Sequence, residues 1–172
     1  MRGAIHSSLR TAMLFVPGGD AKKLEKIPTL EAKSLLLDLE DGVTESAKPA
    51  ARALVADALQ RFSNQRSLWV RVNALGTVHA YADLCAVVRP GLEGINLPKV
   101  ERGSDLKTLD WILTQLERER GLPPQSVRVM ATLETATPDL EVYSIDEAFL
   151  DIAGSVHLFG PPLAIGQAIR SL

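Results

Sequence analysis

The chain has a single cysteine, Cys85, so no disulfide can form within it, and the sequence reads as suited to a reducing cytoplasm. It has no surplus of positive charge. Its formal net charge is −2, which argues against a nucleic-acid partner held by phosphate contacts. No apolar run approaches the ~20 residues of a membrane span. The opening Met1-Arg2-Gly3-Ala4-Ile5-His6 lacks the apolar core of a signal peptide. Pro17-Gly18-Gly19-Asp20 is rich in glycine, yet it is neither the Gly-x-Gly-x-x-Gly of dinucleotide folds nor a P-loop with Lys-Ser/Thr. His6, His79 and His157 have no metal-ligand spacing and read as surface or loop residues. There is no low-complexity stretch and no long linker.

What is present is an ordinary globular composition, 46% apolar and 23% charged over 172 residues, enough for one domain with a sizeable core. The most informative segment is Ser34-Leu35-Leu36-Leu37-Asp38-Leu39-Glu40-Asp41, where an apolar run ends in three carboxylates. On a strand, alternate side chains share a face. Leu36, Asp38 and Glu40 then point one way, and Leu35, Leu37 and Leu39 the other. α/β proteins place their chemistry at such C-terminal strand ends.

Apolar strand-length runs alternate with helical periodicity. Strands are expected at 13–16, 35–39, 68–72, 94–97 and 127–133, with a sixth at 156–159. Helices are expected at 20–27 (Asp20 as N-cap), 44–62, 78–88, 106–120, 144–152 and 163–169. Cys85 and Trp111 fall in apolar helical patterns and are expected to pack. Strand–helix alternation predicts parallel strands with helical crossovers. A closed (β/α) barrel needs eight units and typically ~250 residues. The fold class is therefore read as α/β, an incomplete TIM-type (β/α) barrel of about six units, in one domain over 1–172, truncated, with an atypical segment at 128–172.

Several strands end in functional polar groups. Trp69, Arg71 and Asn73 share one face of the third strand, Lys99 follows the fourth, and Met130, Thr132 and Glu134 share a face of the fifth. An inward arginine beside carboxylates suits a carboxylate-bearing or oxo-acid substrate. Grouped oxygen donors suit Mg²⁺, which takes one or two protein carboxylates and completes its shell with substrate and water. Each residue also has a plainer reading. Glu40 and Asp41 suit the N-terminus of the following helix, where acids offset the dipole. Arg71 suits a structural ion pair, and Lys99 reads as a solvated loop lysine ahead of a Schiff-base nucleophile.

Leu14-Phe15-Val16-Pro17-Gly18, Leu37-Asp38-Leu39-Glu40-Asp41-Gly42-Val43, Val70-Arg71-Val72-Asn73 with Gly76-Thr77, and Leu97-Pro98-Lys99-Val100-Glu101 occur in this order. Together they resemble the citrate lyase β-subunit-like family of the HpcH/HpaI aldolase superfamily. The resemblance covers Leu9 to Glu101 and extends to Leu133-Glu134-Thr135-Ala136. It implies a (β/α)₈ barrel and a Mg²⁺-dependent carbon–carbon lyase acting on a 3-hydroxy-acyl-CoA such as citryl-, malyl- or citramalyl-CoA. It implies that Arg71 binds the oxo-acid carboxylate, that Glu40 and Asp41 order the catalytic mouth, and that Glu134 binds the metal. Pro17, Gly18, Asn73 and Lys99 complete the substrate-binding set.

The family follows its sixth strand with Phe-Gly, an acidic pair and Leu, whose aspartate is the second metal ligand. Here Phe159-Gly160-Pro161-Pro162-Leu163-Ala164 has no carboxylate, which leaves the metal to Glu134. The final two strand–helix units are also lacking, so a catalytically inactive fragment serving as a scaffold or homo-oligomer subunit stands as the alternative. Residues 128–151, with Ser144-Ile145-Asp146-Glu147, also resemble the palm segment of Y-family DNA polymerases, but no earlier metal-binding aspartate and steric gate accompany them. The expected partners are a small oxo acid and an acyl-CoA, with no membrane.

Overall fold

The computed structural model describes residues 12–133 and 149–151. Five parallel strands lie side by side in chain order: β1 (Met13–Pro17), β2 (Ser34–Asp38), β3 (Ser67–Arg71), β4 (Gly94–Leu97) and β5 (Arg128–Thr132). The helices between them are α1 (Ala21–Leu24), α2 (Lys48–Phe62), α3 (Ala80–Val87) and α4 (Gly103–Glu119). Strand order that follows chain order is the winding of a (β/α) barrel; a doubly wound sheet reverses direction partway. Among the described residues the sheet stays open, with β1 at one edge and β6 (Phe149–Asp151) at the other.

β6 departs from the sequence reading in two ways. It pairs antiparallel with β5, Thr132 opposite Phe149 and Met130 opposite Asp151, in a sheet expected to be all parallel. Residues 149–151 were also expected within a helix over 144–152. Three consecutive apolar or mixed residues carry too little periodicity to separate helix from strand, and the free edge of β5 offers a ladder of backbone partners. The strand expected at 156–159 and the helix at 163–169 lie outside the described residues.

Alternation along the strands builds two apolar layers. Leu35, Leu37, Leu68, Val70, Ile95, Leu97, Val129 and Ala131 face the helices and pack with Val55, Leu59, Leu84, Val87, Leu109 and Leu113. Each fully buried leucine contributes about 1.5–3 kcal/mol. The opposite face carries a smaller cluster of Leu36, Trp69 and Met130, with Met13 against it. Gly94 makes room for the indole: a Cβ there would lie 2.4 Å from Trp69 Cζ3 and 2.8 Å from the Arg128 carbonyl oxygen. Trp111, expected to pack, is instead 65% exposed on α4, because the buried stripe of that helix runs through Leu109, Leu113 and Leu116. Cys85 packs partly buried against the core, as its pattern suggested. No helix among the described residues is long and apolar enough to cross a membrane.

Candidate active site at the strand ends

The smaller, non-helical face turns polar toward the C-terminal ends of the strands. Pro17, Asp38, Arg71 and Asn96 stand in one register row across β1 to β4. Gly18 donates its N–H to the Asp38 carbonyl at 2.8 Å, and a Cβ on Gly18 would come within 2.6 Å of that oxygen. Only a residue without a side chain lets β1 close this tightly on β2 and α2. Pro17 and Gly18 thus shape the first wall.

Arg71 is the centre of the cluster. Its Nε and Nη2 donate to Asp38 Oδ1 and Oδ2, both at 2.8 Å, a two-point fork between planar groups. Its Nη1 lies 3.3 Å from Glu40 Oε2 and 3.9 Å from Asp41 Oδ2. Phe15 lies 5.0 Å from the guanidinium carbon and is 45% exposed. The fork with Asp38 raises the Arg71 pKa further and keeps it a fixed cation.

Asp38 matches this. Burial works to raise its pKa, but the Arg71 guanidinium and the backbone N–H groups of Glu40 (2.9 Å) and Gly42 (2.8 Å) outweigh burial and hold the carboxyl below its ordinary value. Glu40 goes the other way. Burial raises its pKa above the ordinary glutamate value, against the pull of Lys99 and Arg71. Lys99 Nζ stands 2.9 Å from Glu40 Oε1. The two buried oxygens of Glu40 are thus ion-paired on both sides, one with Lys99 and the other with Arg71. Lys99 has a left-handed backbone, φ 52°, after Pro98; such a conformation is strained in a non-glycine residue. Asp41 is 71% exposed at the rim.

The structure therefore brings together Arg71, Glu40, Asp41, Lys99, Pro17 and Gly18. It places Asn73 elsewhere. β3 ends at Arg71, so strict alternation stops there, and Asn73 turns toward the helices. Its Oδ1 accepts from Lys48 Nζ at 2.7 Å, and its Nδ2 donates to Asp83 Oδ2 at 2.6 Å and to the Leu39 carbonyl at 3.0 Å. Glu134 lies outside the described residues, as does the Phe159–Ala164 stretch. Among the described residues, no group of three His, Cys, Asp or Glu is arranged to hold a metal ion. The strand ends do carry carboxylate oxygens, the hard donors that Mg²⁺ takes, but among the described residues those of Glu40 are already paired with Lys99 and Arg71.

Sequence reasoning named the three acids but left Asp38 without a role; its fork with Arg71 depends on two strands pairing in register. It overlooked Lys48 and Asp83, both buried. A signal existed for each. Lys48 shares a helical stripe with Ala51, Val55 and Leu59, and Asp83 one with Ala80, Leu84 and Val87.

Parallel β/α units wound in chain order, with a part-buried guanidinium among acids at the C-terminal strand ends, define an α/β protein of the (β/α)-barrel type. The chain belongs to the HpcH/HpaI aldolase/citrate lyase family, whose model matches residues 11–153. The citrate lyase subunit beta of Haemophilus influenzae is 37% identical over 165 residues, 95% of this chain and 55% of the relative. The mitochondrial citramalyl-CoA lyase of Rattus norvegicus is 32% identical over 160 residues, 91% of this chain and 47% of the relative. A solved citrate lyase beta subunit from M. tuberculosis, complexed with oxaloacetate and magnesium, superposes with a TM-score of 0.54 at 31% identity, over 74% of this chain and 48% of that one. The chain thus spans about half the length of the relatives it matches. The family match runs through the 128–151 stretch, so the polymerase-palm resemblance finds no support there.

Proposed function

We propose that this chain carries the oxo-acid end of the active site of a Mg²⁺-dependent carbon–carbon lyase acting on a 3-hydroxy-acyl-CoA of the citryl-, malyl- or citramalyl-CoA type. The observation that carries this reading is Arg71, locked by Asp38 in a two-point fork while Nη1 faces Glu40 and Asp41. The names of the matched relatives, citrate lyase and citramalyl-CoA lyase, supply the substrate class.

Retro-aldol cleavage breaks the bond between C2 and C3 of the acyl chain. The 3-hydroxyl loses its proton and becomes the carbonyl of the oxo acid, and the electron pair moves to C2 as the enolate of the acyl-CoA thioester. That enolate then takes a proton. Arg71 holds the carboxylate beside the new carbonyl through the N–H groups that Asp38 leaves free, and its pre-set plane fixes the orientation of the fragment. Glu40, buried and with its pKa raised above the ordinary glutamate value by that burial, is placed to accept a proton and to return it. Lys99 and Asp41 set the charge around it. Glu134 is the proposed ligand for the metal, which when bound would supply charge stabilisation to the oxo-acid oxygens.

The test is to incubate the protein with citryl-, malyl- and citramalyl-CoA, with MgCl₂ or with EDTA, and to assay the released oxo acid. Cleavage of one thioester that EDTA suppresses is expected. No cleavage of any of the three sinks the reading.

The exposed edge strand favours a second reading, a scaffold or homo-oligomer subunit: Leu14 and Phe15 on β1 are 43% and 45% exposed. Self-association in light scattering is expected on that reading, and a monodisperse monomer counts against it.

A further inference from the structure

Lys48 opens α2 on the stripe that otherwise buries Ala51, Val55 and Leu59, and it is 4% exposed. A buried ammonium is costly unless its three N–H groups are all taken. Here they are. Nζ donates to the Leu39 carbonyl at 3.0 Å, to the Glu40 carbonyl at 3.0 Å and to Asn73 Oδ1 at 2.7 Å. The carboxylate of Glu45 stands 4.0 Å off and is 79% exposed, too distant and too wet to explain why a cation is kept in an apolar stripe. The partners of Lys48 are main chain and amide at two strand ends, one leading into Glu40 and the other leaving Arg71.

The grip extends into the helix layer. Asp83 is fully buried; its Oδ2 accepts from the Asn73 N–H at 2.9 Å and from Asn73 Nδ2 at 2.6 Å, while its Oδ1 accepts from Arg52 Nε at 2.7 Å. Arg52 Nη2 in turn meets His79 Nδ1 at 3.0 Å. One connected set therefore ties α2 and α3 to the ends of β2 and β3, behind the face that carries the acids.

We propose that Lys48 is a positioning residue: it fixes the Leu39–Glu40 peptide and, through Asn73, the end of β3, and so sets Glu40 against Arg71. The proposal rests on the lyase reading of Glu40 and Arg71 for its catalytic consequence alone. Its structural content can be read separately.

The test compares the full chain with Lys48→Met, which fills the same volume without a donor, and with Lys48→Gln, which keeps two donors on a shorter stem. Amide hydrogen exchange is measured by mass spectrometry on peptides over 39–43, 71–74 and α4. In Lys48→Met, exchange over 39–43 is expected to rise by about tenfold or more while α4 stays protected, since the opening is local. kcat is expected to fall by about 10–100-fold, the cost of misplacing a reacting group by an ångström or so. KM is expected to stay within about threefold, and Lys48→Gln to recover part of kcat. Should Lys48→Met not fold, Lys48→Gln carries the same measurements. Unchanged exchange over 39–43, or an equal rise in α4, overturns the positioning role. A wild type that cleaves nothing overturns the lyase reading, and the exchange data still decide on Lys48.

Discussion

The fork between Arg71 and Asp38 can be weighed by a double-mutant cycle. Arg71→Met removes the guanidinium with little change of volume, and Asp38→Asn removes the charge while keeping the shape. The two side chains are 18% and 6% exposed and share two hydrogen bonds of 2.8 Å. Breaking one partner of a fully buried pair costs about 3–5 kcal/mol, whereas an exposed pair is worth about 0.2–1 kcal/mol. Arg71 retains some water, and Asp38 keeps the N–H donors of Glu40 and Gly42 after the arginine is gone. Arg71→Met should therefore cost about 2–3 kcal/mol, between the exposed range and the buried one. In a chain of this size that is a loss of about 4–12 °C in Tm. Urea unfolding followed by far-UV circular dichroism gives the coupling energy from the four proteins, which should come to about 1.5–2.5 kcal/mol. It should persist in 1 M NaCl, because a partly buried fork is weakly screened. A coupling below about 0.5 kcal/mol would refute the reasoning and leave a solvated pair.

Acid should act through the same fork. Asp38 has its pKa depressed by folding, so its stabilisation is complete above the ordinary aspartate range and is lost as pH falls through the lower folded value. Glu40 is raised, so it favours the folded state at low pH and loses that contribution as pH rises through its folded value. Asp38→Asn should thus flatten the acid arm of stability against pH below the ordinary aspartate range, as read by urea midpoints; an unaltered arm means Asp38 is not the group being titrated. Lys99→Ala removes a cation that pulls the Glu40 pKa down, so Glu40 should titrate at still higher pH in carboxyl ¹³C NMR, and a fall would contradict the contact. Gly94→Ala places a methyl against the Trp69 ring and should cost about 1–3 kcal/mol in urea, with a neutral outcome meaning that the indole can move aside.

The five parallel strands were legible because each is a short apolar run, most of them closed by Pro or an acid, and their observed ends fall within a residue or so of the expected ones. The start of α2 was less so. Glu45–Ala47 forms a tighter 3₁₀ turn before the α-helix begins at Lys48. The start of α4 lies three residues ahead of the expected Leu106, because Asp105 accepts the N–H groups of Glu101 and Arg102 and caps an earlier turn. At the site, alternation put Asp38, Glu40 and Arg71 on strand faces ending in polar groups, and the role of Asp41 came with the family resemblance. The pairing of Arg71 with Asp38 could not be read this way, since it needs β2 and β3 in register. Asn73 misled for the same reason: alternation says nothing about where a strand stops. Lys48 and Asp83 were visible only as charges in apolar stripes, and their meaning came from the helices packing over the strand ends.

Arg71 is the proposed anchor of an oxo-acid fragment among the strand-end acids. The most direct measurement is kcat/KM for cleavage of citryl-, malyl- or citramalyl-CoA with MgCl₂, by the wild-type chain and by Arg71→Ala. Cleavage of one of them by the wild type is expected, with a loss of about 10²-fold or more in the variant, the scale of removing a charged group aimed at the reacting fragment. Equal rates in the two proteins, or no cleavage by the wild type, would contradict that role.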